Sequence, residues 1–169
     1  MKRALALAGI VAGLFLIGYA LFSRQSDEEL IQAKLGLLAE AVQVSGEGQN
    51  VAVRALQLRG QFAEIFEKDV HAKIPELGSA RQDRQALAAL AARSTAYFTT
   101  LELTFRDVDI QLEAGGTGAR VSAVAVVTGS PRRGNGPRRE ERDVSFKFFK
   151  SDEHGWRIAA LQTTERQPR

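Results

Sequence analysis

From Tyr97 to Glu165 apolar and polar residues alternate with a period of two, the spacing of strands that bury one face. Leu101, Leu103 and Phe105 share one parity while Val108, Ile110 and Leu112 share the other, so the alternation slips by one residue at Arg106-Asp107. A slip inside a continuous run predicts a β-bulge or bend. The stretch Ala114-Gly115-Gly116-Thr117-Gly118 supplies residues that tolerate positive φ, and the chain returns through the Val-rich run Arg120 to Thr128 as a hairpin. Val144, Phe146 and Phe148 set between Asp143, Ser145 and Lys147 mark a third strand. After the turn Ser151 to Gly155, Trp156, Ile158 and Ala160 mark a fourth. Linked strands of this kind predict an antiparallel meander whose apolar face needs a cover.

The preceding segments carry helical stripes that can provide it. Ser26-Asp27-Glu28-Glu29 has the form of a capping box, in which the hydroxyl and Glu29 each satisfy a backbone N–H at the helix start. Ile31, Leu35, Leu38 and Val42 form the buried stripe of that helix, which is expected to end near Ser45-Gly46-Glu47-Gly48. Asn50 caps a second helix with Ala55, Leu58, Phe62, Ile65 and Phe66 at helical spacing; Gly60 weakens it by about 1 kcal/mol relative to Ala. Asp69 to Ile74 alternates briefly and predicts a short strand, closed by Pro75 and Gly78. Ser79 with Gln82 predicts a further capping box, opening a third helix with Leu87, Leu90 and Ala91 on its buried stripe and its end near Ser94.

Ala4 to Phe22 is free of charge and, at about 1.5 Å per helical residue, matches the roughly 30 Å hydrocarbon layer of a bilayer. Lys2 and Arg3 precede it and Asp27, Glu28 and Glu29 follow, which orients the amino terminus to the cytoplasm. The expected organisation is a cytoplasmic stub over 1–3, a transmembrane helix over 4–22, a linker over 23–26, one domain over 27–165 and a tail over 166–169. That places the domain on the periplasmic side of a bacterial inner membrane. A cleaved leader, with Gly18-Tyr19-Ala20 as the processing site, is the alternative and gives a secreted protein.

The order helix, helix, short strand, helix, four long strands resembles the nuclear transport factor 2-like (SnoaL-like, cystatin-like) superfamily. The likeness also rests on Phe62 to Ile74 (FAEIFEKDVHAKI) and on Gly155-Trp156-Arg157-Ile158 after a charged turn. It implies an α+β fold, three helices packed on a strongly curved, mainly antiparallel sheet shaped as a cone, here preceded by one transmembrane helix. The resemblance also implies a cavity at the cone's wide end. It does not imply one activity, since this fold hosts isomerases, dehydratases, ligand binders and assembly subunits.

Composition narrows the chemistry. With 23 Lys and Arg against 20 Asp and Glu, bulk charge favours no particular partner. The chain has no cysteine, which excludes disulfides, thiol catalysis and a lipidated cysteine. Two distant histidines without cysteine do not make a metal site, no phosphate loop precedes a helix, and no cofactor is expected.

Asp69 and His71 lie two apart on the short strand and so share a face, where a carboxylate beside an imidazole could serve as a base; helix closure and a solvent-facing position are the structural alternative. Asp107 and Asp109 flank the slip, and Tyr97 stands at the sheet entry as a core residue or a catalyst. The ketosteroid isomerase type has a tyrosine on its first helix, which this chain lacks. Arg132, Arg133, Arg138 and Arg139 surround Gly134-Asn135-Gly136-Pro137 and could grip phosphate or carboxylate groups, or form a solvated hairpin tip. No aromatic interleaves them, so nucleic acid is not expected.

Two functions follow as expectations. One is a membrane-anchored, non-catalytic interaction or assembly domain of the cell envelope, with an envelope protein or a second copy as partner. The other is a binder of a small apolar ligand, or an isomerase or dehydratase, using the cone. A cavity filled by Phe62, Phe66, Phe105 and Phe148 favours the first; a hollow one with an inward carboxylate or imidazole favours the enzyme.

Overall fold

The computed structural model describes residues 25–46, 50–75, 78–134 and 136–166. Three helices, α1 (Asp27–Val42), α2 (Val51–Ile65) and α3 (Arg84–Tyr97), pack on one sheet. Its strands are β1 (Val44–Ser45), β2 (Phe66–Ile74), β3 (Gly78–Asp83), β4 (Phe98–Leu112), β5 (Gly118–Pro131), β6 (Arg138–Ser151) and β7 (Gly155–Glu165). They lie in the order β1-β4-β5-β6-β7-β2-β3. The meander β4 to β7 is antiparallel throughout, as the alternation predicts, and β2 joins β7 in parallel to extend the sheet. The expected membrane helix over 4–22 lies outside the described residues, among which no helix is long and apolar enough to cross a membrane.

The helix starts are set by side chains. Ser26 Oγ accepts from Glu29 N while Glu29 accepts from Ser26 N, and Asn50 Oδ1 accepts from Ala52 N at 2.8 Å, both as expected. The third start is a correction. Ser79 and Gln82 do not open a helix: Gly78–Asp83 pairs antiparallel with β2, from Asp69 against Asp83 to Ile74 against Gly78. Asp83 is the true cap, accepting from Gln85 N, and α3 runs past Ser94 to Tyr97. The short strand is also longer than expected, beginning at Phe66, directly at the end of α2.

The parity slip is a bulge. Arg106 pairs with Val124 and Asp109 with Ser122, so Asp107 and Val108 together face Ala123 alone. Asp107 takes φ +52°, the left-handed region that Asp tolerates better than most residues. Beyond it Ile110 and Leu112 return to the helix side, opposite Val121 and Ala119. Gly129 sits where a Cβ would come to 3.0 Å from the Phe98 and Leu101 side chains, so a larger residue there would have to push them aside.

The narrow end of the cone is solid. Trp156, Phe148, Ile31 and Val121 are fully buried there, and Trp156 Nε1 donates to Asp27 Oδ1 at 2.9 Å. Lys150 Nζ reaches the same oxygen at 2.7 Å and lies 5.6 Å from the Trp156 ring centre. These contacts clasp the start of α1 to the β6–β7 hairpin, and they hold the Asp27 carboxyl below its ordinary pKa, the Lys150 hydrogen bond first and the Trp156 bond next. At its other end α1 is closed by Arg54, whose Nη2 donates to the carbonyls of Ala41 and Gln43.

Candidate functional site: an apolar cavity in the cone

The wide end is hollow. A cavity of about 330 Å³ opens between the helices and the sheet, near the lower end of the roughly 300–1,000 Å³ range of small-molecule sites. Leu38 and Val42 of α1, Phe62 of α2, and Leu87, Leu90 and Ala91 of α3 form one wall. Leu103 and Phe105 of β4, Ala125 and Val127 of β5, Val144 and Phe146 of β6, and Leu161 of β7 form the other, with Phe66 and Ile74 of β2. The rings pack in tilted and edge-on pairs, Phe62 with Phe66 at 5.0 Å and Phe105 with Phe146 at 5.6 Å. Phe148 lies deeper and does not line the hollow, while Phe62, Phe66 and Phe105 stand along its wall rather than filling it.

Two polar side chains interrupt this lining, Arg142 and Thr163. Arg142 shares the inward parity of Val144, Phe146 and Phe148, and its side chain is 22% exposed. Its Nε and Nη2 both meet Glu140 Oε1 at 2.5 Å. Thr163 is opposite Val144 on β7, hence diagonal to Arg142, and its Oγ1 is buried with no hydrogen-bond partner. Continuing the period-two pattern one step before Val144 finds Arg142; the orphaned hydroxyl leaves no mark in the sequence.

The sequence candidates lie elsewhere. Val70 and Ala72 are buried while Asp69, His71 and Lys73 are exposed, so the Asp69 and His71 pair sits on the outer face of the sheet, across the strand from the cavity. His71 lines a shallow outer hollow with Lys73, Arg120 and Lys147. Asp107 and Asp109 are exposed too, and Asp107 lines a second outer hollow with Ser122, Asp143 and Thr164. Tyr97 is 67% exposed, neither core nor cavity.

The arginine cluster divides. Arg132 Nε donates to Thr95 O at 2.9 Å and its backbone N–H to Tyr97 O, so this side chain ties the β5–β6 loop to the end of α3. Arg139 pairs with Glu141 at 3.0 Å, and Arg106 reaches the same carboxylate at 2.7 Å. That carboxyl is held below its ordinary pKa by the Arg139 hydrogen bond first, with Arg106 and Arg166 adding to it. Arg133 on the loop and Arg138 at the first position of β6 are exposed. Among the described residues no group of His, Cys, Asp and Glu has a metal-holding arrangement.

Solved structures with this arrangement share it closely in shape and weakly in sequence. A Kribbella flavida protein superposes with a TM-score of 0.68 at 9% identity, over 83% of this chain and 91% of that one. A nuclear transport factor 2-like superfamily protein from Salmonella enterica gives 0.63 at 13% identity, over 84% and 92%. A Novosphingobium aromaticivorans protein described as nuclear transport factor 2-like with a cystatin-like fold gives 0.61 at 16% identity, over 96% and 92%. The fold is the nuclear transport factor 2-like cone. By sequence the chain matches no family model and no curated protein. Identities this low carry the fold and no activity.

Proposed function

We propose that this domain is a non-catalytic binder of one small apolar molecule, held by the 4–22 leader at the periplasmic side of a bacterial inner membrane. The observation that carries the reading is the cavity itself, hollow and walled by aliphatic and aromatic side chains. Every square ångström of apolar ligand surface moved into such a site contributes about 25 cal/mol, and a preformed wall limits the ordering cost on the protein side. Among the described residues no carboxylate, imidazole or phenol lines the cavity, so none of them offers a base for proton abstraction inside the cone.

The test is fluorescence titration of the full-length chain with the neutral dye N-phenyl-1-naphthylamine. Saturable uptake by the natural chain, lost when Val127→Trp fills the mouth, is the expected result. Equal uptake by both chains would place the dye outside the cone and end the reading. Amino-terminal sequencing of the mature protein separates a retained anchor from a cleaved leader.

The same absence of a base also favours a second reading, an assembly module of the cell envelope. Crosslinking in intact cells tests it: recovery of a strictly monomeric chain with no envelope partner counts against it.

A further inference from the structure

We infer that Arg142 and Thr163 form a head-group anchor at the rim of the cavity, so that the ligand is an amphiphile with one carboxylate and a short apolar tail. The inference rests on the ligand-binding reading and gives that site its selectivity. Three observations lead to it.

Arg142 is the one charged residue in the lining, and it shares the inward parity of Val144, Phe146 and Phe148, the apolar positions that follow it on β6. Holding a guanidinium over apolar surface is costly unless an anion meets it. Glu140 does so now, two residues away on β6, but it is 60% exposed and stands outside the lining. Thr163 supplies the second point. A buried hydroxyl without a partner forfeits a hydrogen bond; this one lies beneath the cavity wall, out of solvent reach, and a turn about χ1 is what would bring it to an incoming oxygen atom. The two residues are diagonal neighbours across the β6–β7 ladder, about 7–8 Å apart in backbone terms, which a long arginine side chain spans so that one carboxylate can meet both.

The position of the pair orients the ligand. Phe146 packs on Phe148 of the solid end at 6.2 Å, and Phe62 and Phe66 are almost wholly buried, whereas Arg142 reaches the surface, so the tail goes inward and the acid group stays at the rim. At about 330 Å³ the hollow holds on the order of ten water-sized groups, each near 30 Å³, which fits a medium-chain or single-ring acid. On binding, the ligand carboxylate takes the place of Glu140 on Arg142 Nε and Nη2, offering two oxygens where Glu140 uses one.

The test displaces N-phenyl-1-naphthylamine from the full-length chain with decanoate, 1-decanol and decylammonium, which share a tail and differ in charge. Decanoate is expected to bind about tenfold tighter than decanol, the gain of a charge-assisted hydrogen bond, and decylammonium weaker than either. Arg142→Met should erase the preference for acid while leaving decanol within about threefold, and Thr163→Val should weaken acid and alcohol alike by about three- to tenfold. Glu140→Gln should tighten decanoate, because it removes the competitor; a purely structural role for the Arg142 and Glu140 pair predicts the opposite. Equal affinity of the natural chain for decanoate and decanol overturns the anchor and leaves the ligand pocket standing. Failure of all three to displace a saturably bound dye, or absence of saturable dye binding, overturns the pocket reading itself. Because this series needs only the natural chain, a variant that does not fold cannot shield the inference.

Discussion

At the scale of single residues, Asp27 and Asp107 each do something that their neighbours cannot. Asp27 accepts from Lys150 and Trp156 only at full strength while ionised, so its carboxyl is held below the usual range in the folded chain. Its contribution is therefore complete above the unfolded carboxyl pKa, about 3.9, and is lost as pH falls through the lower folded value. Asp27→Asn keeps an acceptor and removes the charge; it should lower unfolding free energy by about 1 kcal/mol at neutral pH, with the deficit fading in urea titrations as pH falls below the ordinary carboxyl range. A deficit independent of pH would mean that the charge is not its source. Asp107 is held at φ +52°. Asp107→Gly should stay within about 0.5 kcal/mol of the natural chain by denaturant unfolding, whereas the β-branched Asp107→Val should cost about 1–2 kcal/mol. Both residues show how far the sequence can be read. The parity slip at Arg106-Asp107 placed the bulge to within one residue of Asp107-Val108, but nothing near Asp27 in the chain announces partners more than a hundred residues away.

At the scale of elements, helix starts were legible where a capping side chain met an apolar stripe, at Ser26 and Asn50. Ser79 with Gln82 satisfied the same local rule and misled, because pairing with β2 claims that segment and leaves Asp83, without a partner glutamate, to cap α3. Hairpin pairing with the strand just before it outweighed a capping signal worth about 1 kcal/mol. The helices also carry avoidable weakness. Gly36 in α1 and Gly60 in α2 have no atom within 4 Å of where a Cβ would stand. Gly36→Ala and Gly60→Ala should each raise stability by about 0.5–1 kcal/mol, and together additively, in thermal or urea unfolding. A loss at either site would reveal a contact that the helix geometry does not predict.

At the scale of the whole molecule, the curved sheet and its helical cover followed from the alternation and the stripes, while the hollow did not. Phe62, Phe66 and Phe105 have the volume and spacing to close the cone; whether they meet at its centre or stand along its wall depends on sheet curvature, which the period of the pattern leaves open. Ala91, on the helical wall, tests the consequence. Ala91→Leu should occupy part of the 330 Å³, raising stability by about 0.5–1 kcal/mol in thermal unfolding while weakening uptake of an apolar dye. Stabilisation without lost uptake would put the dye elsewhere.

The bulge has a further effect at the border of the sheet. β1 covers the outer edge of β4 only at Leu101 and Thr100, so from Glu102 onward no described strand pairs with that edge. A long straight row of uncovered peptide groups is a template on which another molecule can add its own strand, the first step of fibril growth. The kink at Asp107 and Val108 breaks that row in two and twists its halves apart. A chain lacking Asp107, its margin straightened, is expected to turn turbid at concentrations where the natural chain stays clear.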